Sequence, residues 1–170
     1  MKSKYVQYYV EGTDEEKLVN VLKTTMRLIK PGKIQKLNVV EQTITNARLR
    51  TLKPATMVVL IFDTDTGHID ILNNNIKILK KCSFISEIVT IPQVPNLEGE
   101  LIRSCNIKKI TELLNSKSKS EYKSDIIRVN NLDKKLIEHE FDIESFWNTK
   151  PKVPYDHVPN DADKIKLVLK

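Results

Sequence analysis

Thr56-Met-Val-Val-Leu-Ile-Phe-Asp-Thr-Asp-Thr-Gly67 sets six apolar residues in a row, Met57 to Phe62, and ends them abruptly at two aspartates. A short unbroken apolar run rich in β-branched residues suits a strand buried on both faces, as in a parallel sheet under helices. Asp63 and Asp65 then fall at its C-terminal end, where ligands bind in open α/β sheets. Strand residues two apart point to one side, so these carboxylates converge if the extended geometry lasts that far. Carboxylates that close repel each other until a proton or cation relieves them. The simplest relief is a hard divalent ion such as Mg²⁺. The competing reading is a polar turn in which Asp65 or Thr66 caps a helix starting near His68.

The chain has 170 residues, enough for one domain with a substantial core. We expect an α/β core over 1–115, followed by a C-terminal helical extension and tail over 116–170 packed on the same domain. No apolar run is long enough to cross a bilayer, and the basic start Met1-Lys-Ser-Lys leads into no signal-peptide core. A cytoplasmic protein with no membrane partner is the expectation. Cys82 and Cys105 have neither disulfide-framework nor zinc spacing, and read as reduced core thiols. The net charge of +6 is uneven: residues 21–53 hold eight basic residues and one acidic residue, Glu41. Such a stretch suits a polyanion, although a solvated basic face is the commoner origin.

Tyr5 to Val10 reads as a first strand, ended by Glu11-Gly12. Thr13 or Asp14 then caps a helix whose apolar residues recur to Ile29, before Pro31-Gly32 stops it. Lys36 to Val40 reads as a second strand, with a helix from about Glu41 to Leu52 joining it to the central strand. After Gly67 the pattern predicts a helix to about Lys81, then a strand from Glu87 to Ile91 ended by Pro92. A helix begins at Asn96. Asn115 to Ser124 reads as an exposed loop, Asp125 to Phe146 as one or two helices, and the proline-bearing tail from Lys150 as loosely ordered. Alternation of strands and helices predicts a mostly parallel sheet of about four strands with helices on both faces, Rossmann-like in class, plus the C-terminal helical extension.

If the first and central strands are parallel, Glu11 meets Asp63 and Asp65 at one sheet edge, and Glu15, one helical turn past Glu11, points back to it. Four converging carboxylates are costly without cations, which predicts a site for one or two Mg²⁺ or Mn²⁺ ions.

This pattern resembles the TOPRIM superfamily, whose core is a strand ending in Glu-Gly and a later strand ending in Asp-x-Asp. Here these are Tyr9-Val10-Glu11-Gly12 and Ile61-Phe62-Asp63-Thr64-Asp65. The form Glu11-Gly12-Thr13-Asp14-Glu15 looks most like the overcoming-lysogenization-defect (OLD) and RloB-like nuclease branch, which is associated with phage defence. The resemblance covers roughly residues 5 to 92. It implies that Glu11, Asp63 and Asp65 hold catalytic metal and that Glu15 assists. A further acidic residue would come from Glu98 or Glu100, with Glu98 the choice, and a lysine from Lys119 or Lys123, with Lys123 the choice. Full OLD proteins carry an ATPase domain, whereas this sequence has no Gly-x-x-x-x-Gly-Lys-Ser/Thr motif.

The implied activity is Mg/Mn-dependent hydrolysis of phosphodiester bonds in DNA or RNA. The lysine would offset charge on the phosphate, and the basic 21–53 stretch would grip flanking phosphates. Two alternatives accompany it. One is a non-catalytic or partner-dependent TOPRIM-like subunit that binds nucleic acid or an ATPase. The other is a phosphatase- or receiver-like domain phosphorylated on an aspartate. Trp147 reads as a packing anchor, and His68, His139 and His157 share no metal spacing.

Overall fold

A computed structural model describes residues 1–167. Four strands form one all-parallel sheet: β1 (Tyr5–Val10), β2 (Lys33–Lys36), β3 (Thr56–Asp63) and β4 (Ile85–Gln93), in the order β2-β1-β3-β4. Seven α-helices accompany them among the described residues: α1 (Thr13–Asn20), α2 (Asn46–Arg50), α3 (Asp70–Lys80), α4 (Leu97–Ser104), α5 (Thr111–Leu114), α6 (Lys119–Arg128) and α7 (Leu132–Glu138). This is the expected α/β fold with helices on both faces and helices after the last strand.

The apolar run of β3 explains the layering. Met57, Val59 and Ile61 face one core cluster with Tyr8 and Val10, under α1 and the helices after β4. Val58, Leu60 and Phe62 face a second cluster with Tyr9, under Leu72 and Leu79 of α3. Every residue of β3 up to Phe62 is buried, so alternation between two apolar layers replaces alternation between core and water. Residues beyond 115 join the first cluster through Tyr122, Ile126, Leu136, Phe146 and Trp147.

Several boundaries differ from expectation, each for a local reason. The helix after β1 does not reach Ile29; α1 gives way to a π-helical turn over Val21–Thr25, and Ile29 instead bridges to Lys166. The second strand is Lys33–Lys36, not Lys36–Val40. Leu37, Val39 and Val40 are buried in the second cluster, past the end of β2 and leading into a turn, so their apolarity reflects packing on that face. Gly32 lets β2 enter: a Cβ there would sit 2.5 Å from the Val6 carbonyl oxygen. The helix expected over 41–52 is confined to Asn46–Arg50, and the one expected to reach Lys81 spans Asp70–Lys80.

Pro92 does not end β4, which runs on to Gln93. β4 is an edge strand, where a residue without an N–H can be accommodated. The loop expected over 115–124 is shorter, because Ser118 accepts a hydrogen bond from the Glu121 N–H and starts α6 at Lys119. The tail is packed, with Tyr155, Val158, Ala162 and Ile165 each at most 3% exposed. Both cysteines are half-buried free thiols. No helix among the described residues is long and apolar enough to cross a membrane.

Candidate functional site

The order β2-β1-β3-β4 makes β1 and β3 neighbours whose connections leave in opposite directions, and ligands of open α/β sheets bind in the crevice at such a point. A cavity of about 410 Å³ lies there. Six carboxyl groups line it, from Glu11, Asp14, Glu15, Glu41, Asp63 and Glu98, with one amine, that of Lys123.

Each principal acid is oriented by its own local donor. Glu11 follows β1, and its Oε2 accepts the Asp63 N–H at 3.3 Å, tying the ends of the two strands together. Glu15 sits in the first turn of α1, where its Oε2 accepts the Gly12 N–H at 3.0 Å. A Cβ on Gly12 would stand 3.2 Å from that oxygen, so the glycine leaves room for the carboxylate to fold back. Asp63 ends β3, and its Oδ1 accepts from Gln93 Nε2 at 2.7 Å. Glu98, on α4, pairs with Lys123 of α6 at 3.3 Å. Helices adjoining two different strands thus contribute to one edge.

The electrostatics follow from burial and crowding. Asp63 is pushed up to about 8, first by burial and then by Glu11, while the Gln93 hydrogen bond acts against this. Glu15 is held above the ordinary carboxylate range by burial and by its neighbour Asp14. Glu11 is raised by burial, partly offset by the Asp63 N–H. Lys123 is raised by Glu98. The edge therefore carries more acid than its single amine neutralises, and burial makes that excess costly.

Of the sequence-predicted residues, Glu11, Glu15, Asp63, Glu98 and Lys123 share this cavity. Asp65 does not line it and is exposed. The reason is local. The Thr64 N–H bonds to the carbonyls of Gln93 and Pro95, at 3.1 and 2.8 Å, so extended geometry stops at Asp63. Asp65 still acts on Glu11 and Asp63 through its charge. Glu100 is buried elsewhere, where its carboxylate accepts from the Val94 and Trp147 N–H groups and pairs with Arg103.

Sequence reasoning missed Gln93 and undervalued Trp147. The indole Nε1–H donates to Gln93 Oε1 at 3.1 Å, and Gln93 in turn donates to Asp63. An indole only donates, so it fixes which end of the Gln93 amide faces the aspartate. The one available signal was position, since Gln93 follows an apolar strand as Asp63 does. Tyr122, beside Lys123, was also missed; its buried hydroxyl has no hydrogen-bond partner among the described residues and feels the charges of Glu98, Asp14 and Glu15.

The donor set fits a hard divalent ion in chemistry: clustered carboxylate oxygens, excess negative charge and a buried orphan hydroxyl nearby. In geometry it is open. Among the described residues, no group of three or more His, Cys, Asp or Glu side chains is placed to hold a metal ion as the side chains stand.

No family model matches this chain, and neither a curated protein nor a solved structure is significantly similar to it.

Proposed function

We propose that this protein is a divalent-metal-dependent phosphodiesterase acting on nucleic acid, a small TOPRIM-like nuclease. The observation that carries this reading is one cavity at the β1–β3 crevice in which Glu11, Glu15, Asp63 and Glu98 face a single lysine. In this reading Glu11, Asp63 and Glu98 would hold the ion. When bound, Mg²⁺ or Mn²⁺ supplies Lewis-acid stabilisation of the phosphoryl oxygens and lowers the pKa of an attacking water.

The chain's own residues do the rest. Gln93 and the Asp63 N–H hold Asp63 and Glu11 in fixed orientations, so little reorganisation is needed as charge develops. Glu15, whose carboxyl burial and the neighbouring Asp14 hold above the ordinary carboxylate range in the metal-free chain, would be the group to exchange a proton with the reacting oxygens. Lys123, cationic and tethered to Glu98, offsets charge on the phosphate.

The test is incubation of the purified protein with single-stranded and duplex DNA and RNA in Mg²⁺ or Mn²⁺. Wild type cleaves at least one of them, and Glu11→Gln and Asp63→Asn lose about 100-fold or more, at least as much as is lost when only the groups supporting a metal ligand are changed. Equal cleavage by wild type and both variants marks a contaminant and ends the proposal.

A second reading, a partner-dependent TOPRIM-like subunit, is favoured by the exposed position of Asp65 outside the cavity, which leaves one acid of the Asp-x-Asp pair away from the others. It predicts Mn²⁺ binding by calorimetry that Asp63→Asn abolishes, with no cleavage by the isolated protein.

A further inference from the structure

Among the described residues, none of the eight basic side chains between positions 21 and 53 has a carboxylate within 4.0 Å. Several of them share one groove. A cavity of about 620 Å³ opens between α1 and β2, lined by Lys23, Lys33 and Thr13. It shares Gly32 and Lys33 with a second cavity of about 300 Å³, which adds Lys4, Tyr5 and Lys53. At the other end Lys36 Nζ donates to the Thr13 hydroxyl at 3.3 Å, and Gly12 and Asp14, on either side of Thr13, line the acidic cavity. One carboxylate, that of Glu16, lines the groove, and Lys17 there is tied to the Val129 carbonyl.

The far end has the shape of a base-binding pocket. Tyr5 is 46% exposed, and Lys53 Nζ lies 4.8 Å from its ring centroid. Lys53 covers one face of the ring as a cation–π partner. A base would therefore stack on the rest of the exposed ring, which suits an unpaired base with its phosphate, whereas a duplex keeps its base faces stacked internally. Tyr5 opens β1 and Glu11 follows its end, so the two lie about 20 Å apart at ~3.3 Å per residue. A strand keeping the stacked rise of about 3.4 Å per phosphate would cover that span with about six nucleotides, and a more extended single strand with fewer.

We infer that the α1–β2 groove is the track of one single strand of nucleic acid, running from the acidic cavity to the Tyr5–Lys53 pocket. Backbone phosphates lie against Lys36, Lys33 and Lys4, and a base stacks on Tyr5. The inference rests on the nucleic-acid reading above and adds the strandedness and the path of the substrate.

The experiment is fluorescence anisotropy with a labelled 12-nucleotide single strand, in EDTA so that nothing is cut, over a series of salt concentrations. In the Lys4→Ala/Lys33→Ala protein the slope of log affinity against log salt falls by about 1.4, about 0.7 for each phosphate no longer neutralised. Tyr5→Leu weakens binding about tenfold, the size of one base–aromatic stack, and leaves the slope unchanged. All three positions are exposed, so these variants fold. A wild-type protein that binds no strand overturns the inference. So does a double lysine variant with unaltered affinity and slope, a duplex bound as tightly as the single strand, or a polyglutamate chain that competes as well as unlabelled strand. The same strand in Mg²⁺ separates the two proposals. If wild type binds it with the expected slope changes but cuts nothing, the track stands and the nuclease falls; if wild type cuts it but the lysine changes alter neither affinity nor slope, only the track falls.

Discussion

At the residue scale, the site depends on side chains whose chemistry leaves them a single orientation. Trp147 Nε1–H can only donate, so Gln93 must present its oxygen to the indole and its amide nitrogen to Asp63. Gln93 is fully buried, so neither bond has water as a substitute. Gln93→Leu therefore strands the indole N–H and frees Asp63. The expected cost is about 1–3 kcal/mol in chemical denaturation, the penalty of an orphaned buried donor. Combined with Trp147→Phe, the total loss should be smaller than the sum of the two single losses, because the stranded donor is then removed as well. A double variant no more stable than the additive sum of the two single changes would show that the pair is not coupled.

Glu98 and Glu100 make the same point about residue identity. They stand two positions apart on one helix with the same functional group. One reaches the cavity and Lys123, while the other is buried under the Val94 and Trp147 N–H groups. Their chemistry is identical, and helical phase alone divides them.

At the scale of elements, the acids meet because β1 and β3 are adjacent and parallel, with register Tyr9↔Leu60. That adjacency has a pH signature. Asp63, Glu15 and Glu11 are all raised in the folded protein relative to ordinary carboxyls. The folded state therefore binds more protons than the unfolded state once pH passes the ordinary carboxylate range. Stability contributed by these protonated groups is full below about pH 4 and is lost as pH rises towards about 8, where Asp63 releases its proton. In EDTA, Tm should fall across this window. Asp63→Asn should flatten the fall, and Mg²⁺ should reverse it in wild type but not in the variant. A Tm that rises from pH 5 to pH 8 equally in both proteins would refute this account.

The strands themselves were legible unevenly. β3 and β1 carry dense apolar and aromatic runs, and both stand where the pattern put them. β2 does not, since Lys33-Ile-Gln-Lys36 offers one β-branched residue and pairs on one side only. The more apolar Leu37–Val40 was the better strand by pattern, and packing claimed it for the second core cluster. Pro92 misled in the opposite direction, because a rule written for central strands does not bind an edge strand.

At the scale of the whole molecule, the C-terminal segment closes the structure over the second face of the sheet. Tyr155 stacks near Phe62, with ring centroids 6.3 Å apart, and its hydroxyl donates to the His68 carbonyl at 2.7 Å. It also bonds the Thr66 hydroxyl at 2.9 Å, so the tail secures the loop that carries Asp65. Tyr155→Ala should cost about 3–5 kcal/mol, as for other large buried aromatics. Tyr155→Phe keeps the ring and loses only the two loop bonds, so it should cost about 1–2 kcal/mol. Equal losses in the two variants, measured by denaturant unfolding, would mean that the ring's packing contributes nothing.

By itself the sequence determined the class of fold, the strand ends that bear acids and the positions of Glu11 and Asp63 on them. These are matters of period and composition within a few residues, and such information is carried locally along the chain. Tertiary structure decided the strand order that makes β1 and β3 neighbours, the exclusion of Asp65 from the cavity and the recruitment of Gln93 through Trp147. Each of these depends on which elements pack together across long sequence separations, and that is set by burial of two apolar sheet faces, not by any short stretch of residues.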